Sequence, residues 1–493
     1  MNGKVILVGA GPGGRGLLTL RGAQALQSAG VVVYDRLVGT DILSLIPDGA
    51  ERIDVGKQAS RHPVPQDEIN RILASKAREG KTVVRLKGGD CFLFGRGGEE
   101  CEYLRENGVS FEVVPGVTSA LAAPAFAGIP VTHREYASSV HIVTAHAKMG
   151  GELHIDFESL VRLGGTIVFL MGVSALGLLM DGLLSAGVPP ETPAAVIENG
   201  ARPNQRKLTA TVGTLTQRAG EMGLQSPAVI VVGAVCALSE TLDWFSALPL
   251  AGRRIVVTRP KTRAGTLSAR LSALGAEVIE YPCIETVETP VSSLPDDLSA
   301  YSWAVFTSPA GVPAALHALE ARDKDFRALY GCRFACIGAG TAKELAKYGI
   351  RADFVPEQYD AAHLAAGLCE RAAPEDRVLL LRARDASPEL PDALRRRNIA
   401  FTDAAVYRTA YRSGQSETLS AQINRGRVDM AAFTSASTVR GFTASLRNAD
   451  MTRFTAVCIG EATAREARKH HMRVKTAKNA TIDEMIACML EEM

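Results

Sequence analysis

Short runs of β-branched and apolar residues recur along this chain, each separated from the next by a longer amphipathic stretch. Residues 5–8, 31–34, 82–86, 166–171, 229–232, 254–258, 378–381 and 430–433 are the clearest examples. A strand that is apolar at nearly every position must be covered on both faces, and helical connections let neighbouring strands run parallel. The pattern predicts an α/β class built on parallel sheets.

The sequence breaks best at 243–253, where Asp243-Trp244-Phe245-Ser246-Ala247-Leu248-Pro249 separates a closing run at 226–233 from a fresh run at 254–260. Pro249 among small neighbours suits a linker. Beyond it lies an internal repeat. Ala304-Val305-Phe306-Thr307-Ser308 precedes Ile337-Gly338-Ala339-Gly340-Thr341-Ala342, and Ala432-Phe433-Thr434-Ser435 precedes Ile459-Gly460-Glu461-Ala462-Thr463-Ala464. Each unit reads as a strand ending in Thr-Ser, then a strand entering a helix through Gly-x-x-Thr. Two such lobes facing one another would form a cleft lined by hydroxyls and helix starts, although Ser and Thr at such turns also serve simply as helix caps.

At 493 residues, with 46% hydrophobic and 22% charged residues, the chain has ordinary globular composition, and the length alone suggests about three domains. A disordered, collagen-like or disulfide-stapled class is excluded. Residues 1–249 carry 22 basic and 24 acidic side chains, and residues 250–493 carry 33 and 29. Neither balance suits nucleic-acid binding, which needs a strongly basic face. Nine cysteines with no C-x-x-C pair read as reduced thiols of a cytoplasmic protein, and no metal site is expected. The N-terminus is too weakly apolar for a signal peptide, and the stretch 166–180 is too short to span a bilayer.

Two motifs in the first half carry chemistry. Gly9-Ala10-Gly11-Pro12-Gly13-Gly14 follows the first run, and Asp35 ends the second. Formally this is the dinucleotide fingerprint, so a flavin or nicotinamide oxidoreductase is one reading. Against it, Pro12 lacks the N–H that a phosphate-cradling turn would use. The segment Arg85-Leu86-Lys87-Gly88-Gly89-Asp90-Cys91-Phe92-Leu93-Phe94-Gly95-Arg96-Gly97-Gly98-Glu99-Glu100 is more telling. So many glycines and charges at one strand–loop–helix entry point to a ligand loop. Pro115-Gly116-Val117-Thr118-Ser119 and Glu198-Asn199-Gly200-Ala201-Arg202 add two more polar loops. A dinucleotide oxidoreductase has no use for this set.

These blocks, with Tyr34-Asp35-Arg36-Leu37-Val38, Val55-Gly56-Lys57, Gly128-Ile129-Pro130-Val131-Thr132-His133-Arg134 and Met171-Gly172, make residues 1–245 closely resemble the uroporphyrinogen-III C-methyltransferases of the tetrapyrrole methylase family. Cys91 stands where that family usually has proline, and Gly14 where it usually has aspartate. The resemblance implies two α/β lobes, about 1–115 and 116–245, with S-adenosylmethionine between them. It places Pro12, Gly88, Gly89, Asp90, Leu93, Thr118, Ser119, Met171 and Gly200 against that cofactor, with Asp90 free to pair with a cationic or hydroxyl portion of it. Asp35 becomes a proton acceptor and Lys57 a donor, although an ion pair of Asp35 with Arg36 is a purely structural alternative. Arg36, Arg61, Arg96 and Arg134, together with Lys57 and His62, are candidate partners for the eight carboxylates of uroporphyrinogen III. His133 and His146 read as packing residues. Relatives of this kind are homodimers, which implies self-association through this half.

Residues 251–490 resemble uroporphyrinogen-III synthase, on the repeated elements, the run 255–260 and Val406-Tyr407-Arg408-Thr409. After a linker at 246–253, that resemblance implies one lobe of about 254–285 with 410–493 and another of about 286–409, the fold of two parallel-sheet lobes. Hydroxymethylbilane would lie between them. Ser308, Thr341, Ser435 and Thr463 would hold its carboxylates at helix starts, and Tyr407 at the lobe junction would assist loss of its hydroxyl. A non-catalytic tetrapyrrole carrier is the alternative for this half. Together the resemblances imply methylation of uroporphyrinogen III to precorrin-2, after closure of hydroxymethylbilane with inversion of ring D, in sirohaem or cobalamin biosynthesis. They also replace three domains by two units of about 245 residues.

Overall fold

The computed structural model describes residues 3–47, 49–56, 64–145, 154–259, 261–289, 294–411, 416–446 and 448–491. The chain divides into two compact units, Met1–Gly252 and Arg253–Met493.

The first unit contains two five-stranded sheets. One is built from β1 (Lys4–Gly9), β2 (Val31–Tyr34), β3 (Glu51–Asp54), β4 (Thr82–Lys87) and β5 (Ser110–Val114) in the order β3-β2-β4-β1-β5, all parallel. Alternate residues of β1 explain its unbroken apolar run. Val5 and Leu7 enter a core with Leu73 and Leu104, while Ile6 and Val8 enter another with Leu26 and Ile42. The connection from β1 crosses toward β2 and that from β4 crosses toward β5. Between these adjacent strands the winding reverses, and loops at such a reversal open a crevice beyond the carboxyl ends.

The second sheet holds β6 (Val140–Thr144), β7 (Thr166–Leu170), β8 (Pro193–Glu198), β9 (Arg206–Thr211) and β10 (Ala228–Val232), ordered β6-β7-β10-β8-β9. Only β6 and β7 are parallel; β10 runs antiparallel to β7 and β8, and β9 antiparallel to β8. Its strands read like parallel ones because both faces are covered: Phe169 and Val196 pack on one side, Val168 and Ile197 on the other. An apolar run reports burial on two faces and carries no information about direction.

In the second unit, β11 (Arg254–Val257) and β12 (Glu277–Glu280) belong to one sheet. The chain then builds another from β13 (Ile284–Glu288), β14 (Trp303–Phe306), β15 (Arg333–Cys336), β16 (Arg377–Ala383) and β17 (Ala400–Tyr411). It returns to the first sheet with β18 (Met430–Phe433), β19 (Thr455–Cys458) and β20 (Arg473–Thr476). The orders are β12-β11-β18-β19-β20 and β13-β17-β16-β14-β15. All pairs are parallel except β13 with β17, which are antiparallel at Ile284↔Tyr411 through Glu288↔Tyr407. No described helix is long and apolar enough to cross a membrane.

Candidate functional site

In the first unit the loops after β1, β4 and β5 converge. Gly11 and Gly89 exchange backbone hydrogen bonds of 3.0 and 2.9 Å, each with φ near +70°, a conformation that suits glycine. Gly116 lies so close that a Cβ on it would sit 2.3 Å from the Gly89 carbonyl oxygen, so only a bare backbone fits. Asp90 ties the knot. Its Oδ1 accepts from the amides of Phe92 (2.8 Å) and Leu93 (2.9 Å), and its Oδ2 from Gly116 (3.0 Å). Burial pushes this carboxyl up, but the amides of Leu93, Gly116, Phe92 and Cys91 outweigh it and hold the group below the usual carboxylate range. Both oxygens are engaged by backbone, so a ligand group would have to share the carboxylate with these amides.

Beside this knot lies a cavity of about 110 Å³, and among its lining residues are Pro12, Gly88, Gly89, Ser119 and Gly200. Five cofactor candidates from loops far apart in sequence are thus brought together. Thr118 instead caps the helix Ser119–Phe126, accepting from the Ala120 amide at 3.2 Å. Leu93 packs against the core of the second sheet, and Met171 is 48% exposed at φ 59°. None of these, nor Asp90, lines the cavity.

Sequence reasoning left Arg202 unassigned, yet it spans the crevice. From the loop after β8 its Nε donates to the Pro12 carbonyl (2.9 Å), and its Nη2 donates to the Leu37 carbonyl (2.6 Å), both on loops of the first sheet. The loop bearing it is anchored by Gln205, whose Oε1 accepts from the Ala201 amide and whose Nε2 donates to the Phe126 carbonyl. The available signal was a cation set directly before Pro203 in a polar loop.

Asp35, at the end of β2, is 32% exposed and accepts from Nη2 of Arg85 at 2.7 Å. The structural partner expected from sequence was Arg36; that is corrected to Arg85, which is 2% exposed. Arg85 Nε donates to Glu100 Oε1 (3.1 Å), as do Lys87 Nζ (2.9 Å) and Gln66 Nε2 (3.1 Å). Burial disfavours the Arg85 charge, and the fields of Asp35 and Glu100 more than offset it.

Arg36 and Arg134 are exposed, Arg134 in a turn closed by the His133 amide on the Ala137 carbonyl. Arg96 is engaged bidentately by Glu99, at 2.9 and 2.6 Å, so a substrate carboxylate would have to compete for it. Lys57, Arg61, His62 and His146 lie outside the described residues. Cys91 is fully buried, its Sγ 3.8 Å from the Val114 carbonyl oxygen; burial pushes its thiol up to about 12, which marks a packing residue. Among the described residues no cluster of three or more His, Cys, Asp or Glu could hold a metal.

In the second unit the repeat is visible in backbone angles. Gly338 (φ −174°, ψ 175°) and Gly460 (φ −174°, ψ 172°) open equivalent helices, Ala339–Ala346 and Glu461–Lys469. Thr341 and Thr463 are only 2% and 4% exposed, which corrects the expectation of hydroxyl donors there: such side chains present almost no surface to a ligand. Ser435 caps the helix Ala436–Ser445 through the Thr438 amide, and its Oγ lies 2.8 Å from Ser437 Oγ. Ser308 accepts from the Gly311 amide (3.1 Å), and its hydroxyl also meets that of Tyr407 at 2.8 Å. Tyr407 lies on β17, opposite Glu288 of β13 and Ala383 of β16. The antiparallel β13–β17 pair is where the chain passes between the two sheets.

Residues 4–216 match the family of Tetrapyrrole (Corrin/Porphyrin) Methylases, and residues 265–487 match Uroporphyrinogen-III synthase HemD. The chain is 50% identical over 494 residues to Porphyrin biosynthesis protein HemD of Ruminiclostridium josui, covering 99% of this chain and 98% of that one. It is 51% identical over 244 residues to Siroheme synthase of Escherichia coli, covering 50% of this chain and about half, 52%, of that relative. Among solved structures, the Thermus thermophilus uroporphyrin-III C-methyl transferase complexed with S-adenyl homocysteine is 40% identical, covers 48% of this chain and all of its own, and gives a TM-score of 0.42. A mutant uroporphyrinogen III synthase from the same organism is 20% identical, covers 49% of this chain and all of its own, and gives 0.37. The chain belongs to the family of porphyrin biosynthesis proteins that join a tetrapyrrole methylase to a uroporphyrinogen-III synthase.

Proposed function

We propose that the second unit closes hydroxymethylbilane with inversion of ring D to give uroporphyrinogen III. The first unit then methylates that product twice, to precorrin-2, using S-adenosylmethionine. The observation that carries the methylase reading is the cavity at the β1/β4 crevice. Its wall is drawn from three glycine-bearing loops packed backbone to side chain: a Cβ on Gly200 would sit 2.2 Å from that of Ala123, and one on Gly88 2.7 Å from that of Leu37. S-adenosylmethionine, when bound, supplies an electrophilic methyl group. Pro12, Gly88, Gly89, Ser119 and Gly200 would hold it, while Asp90 acts one step back by fixing the loop. The carboxylate of Asp35 accepts the proton that a methylated pyrrole ring gives up. Among the described residues, Arg36 and Arg134 are exposed cations suited to substrate carboxylates.

At about 110 Å³ the cavity is smaller than the roughly 300–1,000 Å³ usual for small-molecule sites. Arg202 draws its two walls together, so entry and retention of the cofactor should depend on it. Arg202→Ala is expected to weaken S-adenosylhomocysteine binding about 10- to 100-fold by releasing the Pro12 and Leu37 loops that line the cavity, the scale being that of one charged hydrogen bond, roughly 1.5–3 kcal/mol. Arg202→Lys should recover little, because an ammonium cannot reproduce the guanidinium fork. Calorimetric titration with unchanged affinity in both variants would remove Arg202 from the site.

For the synthase unit the Ser308–Tyr407 hydroxyl pair is the supporting feature. A phenol assisting departure of the substrate hydroxyl is general acid catalysis, typically contributing about 10²–10⁴-fold. Tyr407→Phe should therefore slow formation of the type III isomer by at least about 100-fold, with Ser308→Ala costing far less. The test feeds the protein hydroxymethylbilane with and without S-adenosylmethionine and follows isomer and methyl content by chromatography. Type I product alone would sink the synthase reading, and type III without methylation would sink the methylase reading. A Tyr407→Phe variant altered only in affinity would favour the carrier alternative.

A further inference from the structure

The buried ion network behind Asp35 is expensive. Arg85, Lys87 and Glu100 are 2%, 5% and 0% exposed at the side chain, and taking such groups from water is seldom repaid in stability. Replacing them by apolar residues would be the cheaper way to fill that space. What the network presents at its outer end is one group, the Asp35 carboxylate, gripped by Arg85.

The order of attachment identifies the anchor. Arg85 Nη1 makes only long contacts to the Val33 (3.4 Å) and Leu86 (3.5 Å) carbonyls, and the charged group that orients the guanidinium from behind is Glu100 Oε1, at Nε. That oxygen is itself fixed by Lys87 Nζ from the same strand and by Gln66 Nε2 from the helix Gln66–Arg78. Glu100 Oε2 is fully buried and has no hydrogen-bond partner among the described residues. Three donors from one strand and one helix converge on the single oxygen Oε1, which fixes the acceptor that faces Arg85. Glu100 lines no part of the cofactor cavity.

We propose that Glu100 is a positioning residue for methyl transfer, acting through Arg85 to aim and hold the Asp35 carboxylate. The inference rests on the reading of Asp35 as proton acceptor. A misplacement of about 1 Å in such a group can cost on the order of 100-fold in rate.

The test uses the full chain with two variants of equal charge, Lys87→Met combined with Glu100→Gln, and Lys87→Met combined with Glu100→Leu. Each removes one cation and one anion, so neither leaves a buried charge unbalanced, and only the first keeps an acceptor for Arg85 Nε. The expected result is a kcat for uroporphyrinogen III methylation that falls about 10- to 100-fold in the Leu form and less than about 3-fold in the Gln form. The KM for S-adenosylmethionine and the affinity for S-adenosylhomocysteine should stay at the native values in both. Equal rates in the two forms, or loss of S-adenosylhomocysteine binding in both, would overturn the proposal, the latter by marking the network as scaffold. Asp35→Asn measured alongside separates the two levels. If it keeps the native kcat, the role given to Asp35 is what failed; if it loses activity while the Leu form does not, positioning by Glu100 alone is refuted.

Discussion

Asp35→Asn is expected to lower the rate of uroporphyrinogen III methylation by about 10²–10⁴-fold while leaving S-adenosylhomocysteine affinity within about 2-fold. The first figure is what a positioned general base contributes. The second follows from geometry: Asp35 does not line the cavity, and its carboxylate is directed to Arg85. Asparagine keeps an oxygen for Arg85 Nη2 and loses the negative charge, so the fold should survive with a cost of about 1–3 kcal/mol for weakening a charged, half-buried hydrogen bond. The activity of the second unit provides an internal control, because none of its residues is altered. Initial rates of methyl incorporation and equilibrium dialysis decide the matter. A variant within 10-fold of the native rate would assign the proton to another group.

The presence of Asp35 at a strand end was legible in the sequence, but its partner was not. Arg36 is its neighbour along the chain, whereas Arg85 is its neighbour in space, because β2 lies beside β4 with Val33 opposite Arg85. That adjacency depends on the strand order, which a single sequence does not encode locally. Asp90 shows the opposite failure. Its loop stands out in the sequence, but its backbone contacts do not, since a short carboxylate among glycines can serve the backbone as easily as a ligand. Glu100 closes the same motif, and its role is not evident from the motif alone. A signal existed: Gly97, Glu100, Cys101 and Leu104 fall on one face of the helix Gly97–Glu106 and are all buried. A glutamate at an apolar position of a helical stripe is a buried charge, and buried charges need a reason. The strands themselves were legible because burial on both faces leaves unbroken apolar runs. The antiparallel pairing of β10 with β7 and β8, and of β8 with the edge strand β9, was not, because direction leaves no mark on composition.

The cysteines, which from sequence indicated only a reducing environment, are expected to make the stability of the chain pH-dependent. Eight of the nine are buried, and none is disulfide-bonded. Burial pushes the thiols of Cys91 and Cys236 in the first unit, and of Cys283, Cys336 and Cys458 in the second, up to about 12. In the unfolded chain a thiol ionises near pH ~8.5. Between that pH and about 12 the unfolded state therefore binds fewer protons than the folded one, and stability falls as pH rises. Below pH ~8.5 both states are protonated and the full stability is present. The loss is roughly 1.4 kcal/mol per pH unit for each thiol, or about 2 kcal/mol per thiol at pH 10, against a total stability that is typically about 5–15 kcal/mol. Urea titrations of the full chain at pH 7.5 and pH 10 (roughly 1.5 units above the free-thiol value) should show a pronounced drop in midpoint. Cys236→Ala provides the discriminating comparison. The small void it leaves lowers stability equally at both pH values, so the difference between them isolates the thiol and should shrink by about 2 kcal/mol in this variant. An unchanged difference would mean that Cys236 ionises alike in both states, and that its burial exerts no hold on the proton.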